Sequence, residues 1–277
     1  MSTDVCPTSR RQFLTVPAAL HSFLISKPSA RRFNVLLILV DDLRPQLRCY
    51  GHSQMKTPHI DQLAAEGLRF ERAYCQQALC APSRVSLLTG ARPDTTRVYD
   101  LQTPLQTLRP GLVSLPLHFR KHGYETVSLG KVYHHLREDP LAWSEPPWRP
   151  KGNWAGGGYV LPSSIGLVRK RDAALAAWQK AHSRGQLPQT GFGPPWEAAP
   201  APDHAYPDGQ ICERAIAELR RLRHRPFFLA VGFHKPHLPF TAPKKYWDLY
   251  QPEELPLPER RRWPDNTPEI ATTNWSE

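Results

Sequence analysis

Two short hydrophobic runs constrain the fold of this chain more than any other feature. They are Phe33-Asn34-Val35-Leu36-Leu37-Ile38-Leu39-Val40 near the beginning and Pro226-Phe227-Phe228-Leu229-Ala230-Val231-Gly232 far along the chain. Each is too short to cross a bilayer and rich in branched or aromatic side chains, the pattern of a parallel strand buried on both faces. Thr126-Val127-Ser128-Leu129 reads as a third, shorter strand leading into Gly130-Lys131.

Helical signals lie between these runs. Thr57-Pro58 opens one helix through Ile60, Leu63 and Ala64, with Thr57 as cap and Gly67 as stop. A second is expected to begin at Pro82, a third to span residues 114–122, and a fourth residues 208–222. The fourth shows Ile211, Ala215, Ile216 and Leu219 on one face. Strands alternating with helices imply an α/β fold with a mainly parallel sheet flanked by helices. Residues 140–207 are rich in proline and tryptophan and read as long loops. No internal repeat is visible.

At 277 residues the chain is long enough to bury a sizeable core. Its formal charge of +11 suits an anionic partner such as nucleic acid, anionic lipid or a sulfated polysaccharide, or reflects arginine-rich composition alone. No compact basic tract with interleaved aromatics appears, so there is no positive signal for nucleic acid. Five cysteines at irregular spacing form neither a disulfide framework nor a zinc pattern. Cys6, Cys49, Cys75 and Cys212 read as buried or tolerated thiols. Ser9-Arg10-Arg11-Gln12-Phe13-Leu14 and the apolar residues after it read either as a twin-arginine export signal over residues 1–30 or as a plain basic leader. No segment is long and apolar enough to span a membrane.

In open parallel sheets, ligands bind beyond the carboxyl ends of the strands. Asp41 and Asp42 follow the first strand, Lys131 and His134 the second, and His234 the last. Separate segments therefore bring two acids, a lysine and two imidazoles to one edge of the sheet. Taken singly, each has an ordinary reading as a turn residue, a surface lysine or a loop histidine. Together they mark a candidate active site. Adjacent carboxylates suit a hard divalent ion, although a calcium ion takes six to eight oxygens.

The remaining chemistry lies in Cys80-Ala81-Pro82-Ser83-Arg84-Val85-Ser86-Leu87-Leu88-Thr89-Gly90. Pro82 suits a helix start, which puts Cys80 at a helix N-terminus that favours anionic groups, with Arg84 one turn along on the same face. This string resembles, without mismatch, the signature of the type I, formylglycine-dependent sulfatases. The likeness extends through Val40-Asp41-Asp42-Leu43-Arg44-Pro45, Thr57-Pro58-His59-Ile60-Asp61, Arg92-Pro93-Asp94-Thr95-Thr96-Arg97, Gly130-Lys131-Val132-Tyr133-His134, Trp143-Ser144-Glu145-Pro146-Pro147, Pro207-Asp208 and Ala230-Val231-Gly232-Phe233-His234-Lys235-Pro236-His237. Within the family it resembles the iduronate-2-sulfatase branch and its bacterial members.

The resemblance implies an alkaline-phosphatase-like α/β fold, incomplete at the C-terminus, and cleavage of a sulfate ester on a sulfated sugar or uronate. It implies that Cys80 is converted to formylglycine by a sulfatase-maturing enzyme, and that the aldehyde hydrate attacks sulfur and then expels sulfate. One calcium ion would be held by Asp41, Asp42 and the group at position 80. Arg84 would stabilise the hydrate, Lys131 would bind a sulfate oxygen, His134 would hydrogen-bond the hydrate, and His234 would contact the leaving oxygen as an acid. The family's downstream Asp-His-Gly calcium segment is not found, and Asp203-His204-Ala205 falls in the wrong order.

Residues 31–277 are therefore expected to be the N-terminal part of a sulfatase catalytic domain, with weak calcium affinity and little turnover alone. The expected location is periplasmic or extracellular, with a lysosomal alternative. Competing readings are a phosphoester or phosphonate hydrolase on the same scaffold, or a non-catalytic polyanion-binding fragment.

Overall fold

The computed structural model describes residues 32–134, 138–151, 158–181, 193–257 and 262–271. The leader expected at residues 1–30 lies outside them. In chain order, β1 (Val35–Val40) precedes α1 (Pro58–Glu66), α2 (Cys80–Thr89), α3 (Pro93–Thr96), α4 (Leu105–Leu108) and α5 (Leu115–Lys121). Next come β2 (Glu125–Gly130), α6 (Pro162–Ala181), β3 (Trp196–Ala199), α7 (Pro207–Leu222), β4 (Phe227–Phe233), β5 (Phe240–Pro243) and α8 (Lys244–Trp247).

The main sheet has the order β1-β4-β2 and is parallel throughout, as the apolar runs implied. Val40 lies opposite Phe233 and Gly130 opposite Gly232, so the three strands end together. One face packs Leu37 and Leu39 of β1 and Phe228 and Ala230 of β4 against Val85 and Leu88 of α2 and Leu117 and Phe119 of α5. The other face packs Val127, Leu129, Leu229 and Val231 against Ile211, Ala215 and Leu222 of α7. Full burial of each such aliphatic side chain contributes about 1.5–3 kcal/mol.

Several expectations are corrected. β1 is buried on one face only, because α7 covers β2 and β4 and leaves Leu36 45% and Ile38 52% exposed. Ile216 is 44% exposed, whereas the buried stripe of α7 is Ile211, Ala215, Glu218 and Leu222, the i, i+4, i+7, i+11 face. Glu218 is tolerated there because Arg214 and Arg221 each hold it at 2.6 Å. Residues 140–207 contain more than loops, namely the twenty-residue α6 and the strand β3, which pairs in parallel with β5. Asp172-Ala173-Ala174-Leu175-Ala176-Ala177 supplies the helix propensity there.

Helix α2 begins at Cys80, so Pro82 is its third residue rather than its first. The first N–H groups of a helix have no internal partner, so proline removes nothing at that position either. Thr57 sits at the start of α1 without capping its backbone, since its hydroxyl donates to Asp61 Oδ1 at 3.0 Å. Gly67 ends α1 in an extended conformation. Ser114 does cap α5, accepting a hydrogen bond from the Leu117 N–H.

Candidate active site

The three parallel strands deliver their next residues to one edge. The Asp41 N–H donates to the Phe233 carbonyl at 3.2 Å, and the Lys131 N–H donates to the Gly232 carbonyl at 2.8 Å. This crossing leaves no room for side chains on the backbone. A Cβ at Gly232 would sit 2.0 Å from the Lys131 carbonyl oxygen, and one at Gly130 would sit 2.2 Å from that of Gly232. Gly130 also has φ +71°, a left-handed conformation that glycine adopts without cost. The Gly-Lys pair thus places Lys131 by geometry that only glycine permits.

Asp41 is the hub. Arg84 Nη2 lies 2.7 Å from its Oδ1, and the Lys131 ammonium is paired with its Oδ2. Arg84 Nη1 donates to the carbonyls of Lys131 and Val132. All three charged groups are buried, so each depends on the others to offset the cost of leaving water. Burial pushes the Asp41 carboxyl up, but the charges and hydrogen bonds of Arg84 and Lys131 outweigh it and hold the group below its usual range.

Cys80 Sγ lies 3.7 Å from Asp41 Oδ1 and 3.7 Å from Lys131 Nζ. Burial dominates its ionisation and raises the thiol above its ordinary range, with Asp41 and Asp42 reinforcing and Lys131 and Arg84 opposing. As a cysteine, position 80 is therefore a protonated thiol rather than a thiolate nucleophile at neutral pH.

The remaining residues named from sequence take varied positions. Asp42 is exposed, in a left-handed conformation with φ 54°, and its Oδ2 lies 4.0 Å from His237 Nε2. His134 is buried with Nδ1 3.2 Å from the Leu101 carbonyl oxygen. The loop after β4 is anchored by Asp208, whose two carboxylate oxygens accept the N–H groups of His234 and Lys235 at 2.8 and 2.9 Å. Burial, reinforced by Lys131 and Lys235, lowers His234 to about 3, so its imidazole is neutral at neutral pH. A neutral ring donates a hydrogen bond but carries no extra proton to give away, which narrows the acid role expected from sequence.

Two residues have roles that the sequence alone does not assign. In the sequence Asp208 is a helix start and part of the family-like Pro207-Asp208 pair, but its role as a brace depends on a contact twenty-six positions away. His237 belongs to the same short motif as His234, yet it is His237 that groups with Asp41 and Cys80, their ligand atoms lying within 4.8 Å of one another. Asp203 and His204 stand apart from the site, paired with Lys245 at 2.8 Å and Glu213 at 3.6 Å.

The donor set matches a hard divalent ion in kind but not in number. Among the described residues, Asp41, Asp42 and position 80 offer fewer oxygens than the six to eight that calcium takes. The fold resembles phosphonate monoester hydrolase of Agrobacterium radiobacter, with a TM-score of 0.56 and 27% identity over 82% of this chain and 45% of that one. Human iduronate 2-sulfatase is 38% identical over 95% of this chain and 46% of its own length. A sulfatase of Formosa agariphila is 33% identical over 81% of this chain and 43% of its own. The chain thus spans about half the length of the curated relatives it matches. The sulfatase family model matches residues 33–273, a span that holds the parallel sheet and every residue gathered around Asp41, and the chain belongs to the sulfatase family.

Proposed function

We propose that this chain carries the nucleophile-bearing half of a sulfuric ester hydrolase acting on a sulfated carbohydrate, with a sulfated uronate favoured by the 38% identity to iduronate 2-sulfatase. The observation that carries the reading is the position of Cys80 Sγ, 3.7 Å from both Asp41 Oδ1 and Lys131 Nζ at the carboxyl edge of the sheet, within the family signature. Converted to formylglycine by a maturing enzyme, position 80 would present an oxygen nucleophile where the sulfur now sits. A calcium ion beside Asp41 and Asp42 would polarise the sulfate oxygens.

Each protein side chain then has a task. Lys131 neutralises a sulfate oxygen while keeping Asp41 in place, and Arg84 locks Asp41 to the backbone after β2. His134 and His234 supply hydrogen bonds to the nucleophile and to the leaving oxygen. Charge growing on those oxygens meets donors that are already positioned, which is where preorganisation lowers a barrier. Residues 1–30 would direct export through the twin-arginine-like run Ser9-Arg10-Arg11-Gln12-Phe13-Leu14.

A second reading, hydrolysis of a phosphoester or phosphonate, is favoured by the likeness to phosphonate monoester hydrolase. The test is hydrolysis of an aryl sulfate and an aryl phosphate by chain co-produced with a maturing enzyme, beside Cys80→Ala and Lys131→Ala. Slow, calcium-stimulated release from the sulfate, abolished in both variants, is expected. Preference for the phosphate supports the second reading. No hydrolysis of either, with heparin binding lost in moderate salt, indicates a polyanion-binding chain.

A further inference from the structure

We propose that the amino edge of the main sheet, on the side away from Asp41, carries an anchoring patch for a sulfated polysaccharide, built by Lys121, Arg220, Arg223 and Arg225. The identity of the partner rests on the sulfated-carbohydrate reading above, whereas the patch itself uses none of the residues gathered around Asp41.

Topology brings these side chains together. Strands β2 and β4 are adjacent and parallel, with Glu125 opposite Phe227, so both begin at one edge. Helix α5 runs into β2 through residues 122–124, and α7 runs into β4 through residues 223–226. The ends of both helices therefore meet at the heads of neighbouring strands, where the Glu125 N–H donates to the Pro226 carbonyl at 2.9 Å. The six residues of β2, at about 3.3 Å each, put this edge roughly 20 Å from the one that holds Lys131.

Positive charge there is in surplus. Arg120 and Lys121 in the last turn of α5, and Arg220 and Arg221 in that of α7, suit the negative ends of the helix dipoles. That effect fades beyond the last turn, yet Arg223 and Arg225 add two more cations. The nearby carboxylates are already engaged. Glu125 pairs with Arg225 at 3.3 Å and with Arg221 at 3.6 Å, and Glu145 pairs with Arg221 at 3.2 Å. Lys121, Arg220 and Arg223 are exposed and have no carboxylate partner among the described residues.

The form of the patch selects its partner. Its cations stand in the open on two separate connections, which suits a chain of repeated anions better than one small anion. Phe119 is engaged by Tyr124 and Phe228, each with ring centroids 4.9 Å away, and Leu222 is fully buried. Among the described residues, 118–125 and 220–226 expose no large apolar side chain. Single-stranded bases would find no exposed Phe, Tyr or Trp to stack on, and a bilayer would find no apolar anchor. Sulfate groups, held through charge alone, need neither.

The test follows binding of labelled heparin to the full chain by fluorescence anisotropy, between about 50 and 200 mM salt. The triple variant Lys121→Ser, Arg220→Ser, Arg223→Ser should weaken binding by more than about tenfold and flatten its salt dependence. Arg169, Lys170 and Lys180 are exposed on α6, and replacing all three by serine removes the same charge elsewhere. That control should change binding less than about twofold if the patch, and not net charge, holds the chain. In the parent, heparin should shield Lys121 but not Lys170 from acetylation, as read by peptide mapping. Equal losses in the two triple variants, or equal acetylation of Lys121 with and without heparin, would overturn the proposal. So would binding of duplex DNA or phosphatidylserine vesicles as tight as that of heparin. Hydrolysis of an aryl sulfate, too small to reach from one edge to the other, decides the sulfatase reading separately, and the patch variant should leave its rate unchanged.

Discussion

Arg84 Nη2 lies 2.7 Å from Asp41 Oδ1, and the same guanidinium also donates to the carbonyls of Lys131 and Val132. One side chain of α2 thereby ties together the residues that follow β1 and β2.

Removing that side chain should cost stability as well as chemistry. Arg84→Met leaves Asp41 with Lys131 alone and the two carbonyls without their donor. Loss of one partner from a buried charge network costs about 3–5 kcal/mol. Urea unfolding should show a drop of about 3 kcal/mol, and a change below about 1 kcal/mol would mean the cluster is open to water.

Gly232→Ala should be at least as damaging as a large-to-small change in the core. The added Cβ would meet backbone, 2.0 Å from the Lys131 carbonyl oxygen, and backbone cannot swing aside. Overpacking of this kind costs about 1–3 kcal/mol or more. Calorimetry should show a clear fall in Tm, whereas an unchanged Tm would indicate that the backbone at Lys131 does not lie against Gly232 as described.

Acid should weaken the fold partly through His234. Unfolded, this imidazole takes a proton near 6.5, but in the folded chain only near 3. Between those values the unfolded state holds more protons, so stability falls as pH falls. Stability measured against pH should decline less steeply through this window in His234→Gln than in the parent. Identical slopes would show that the ring is protonated in the fold.

On the sheet face that α7 covers, β4 and the uncovered edge strand β1 should respond differently to substitution. Leu229 is fully buried, so Leu229→Ala should cost about 2–5 kcal/mol. Leu36 and Ile38 are exposed on an edge strand, so Leu36→Thr with Ile38→Thr should change stability by less than about 0.5 kcal/mol and reduce aggregation. Light scattering and denaturant unfolding decide the matter, and a large loss of stability in the double variant would show that this face is packed.

Much of this site can be read from the chain because strand ends are local signals. Asp41, Lys131 and His234 each stand immediately after a hydrophobic run, and parallel pairing then carries them to one edge. Arg84 shares a helix with Cys80, so their proximity is also local. Asp208 and His237 were harder to assign, since their roles depend on where the loop after β4 folds back. The open face of β1 was hidden for a similar reason: periodicity reports that a strand is apolar, not which helix covers it. Helix α6 was masked by the proline and tryptophan of its surroundings, though its alanine-rich centre favours a helix.

The central claim is that the side chain beside Asp41 and Lys131 becomes an aldehyde nucleophile. Peptide mass spectrometry across Cys80, on chain co-produced with a formylglycine-generating enzyme, tests it most directly. The account predicts a peptide lightened by replacement of the thiol-bearing carbon with an aldehyde, trapped by a hydrazide probe. An intact thiol at position 80, in cells that convert a known sulfatase, would contradict it.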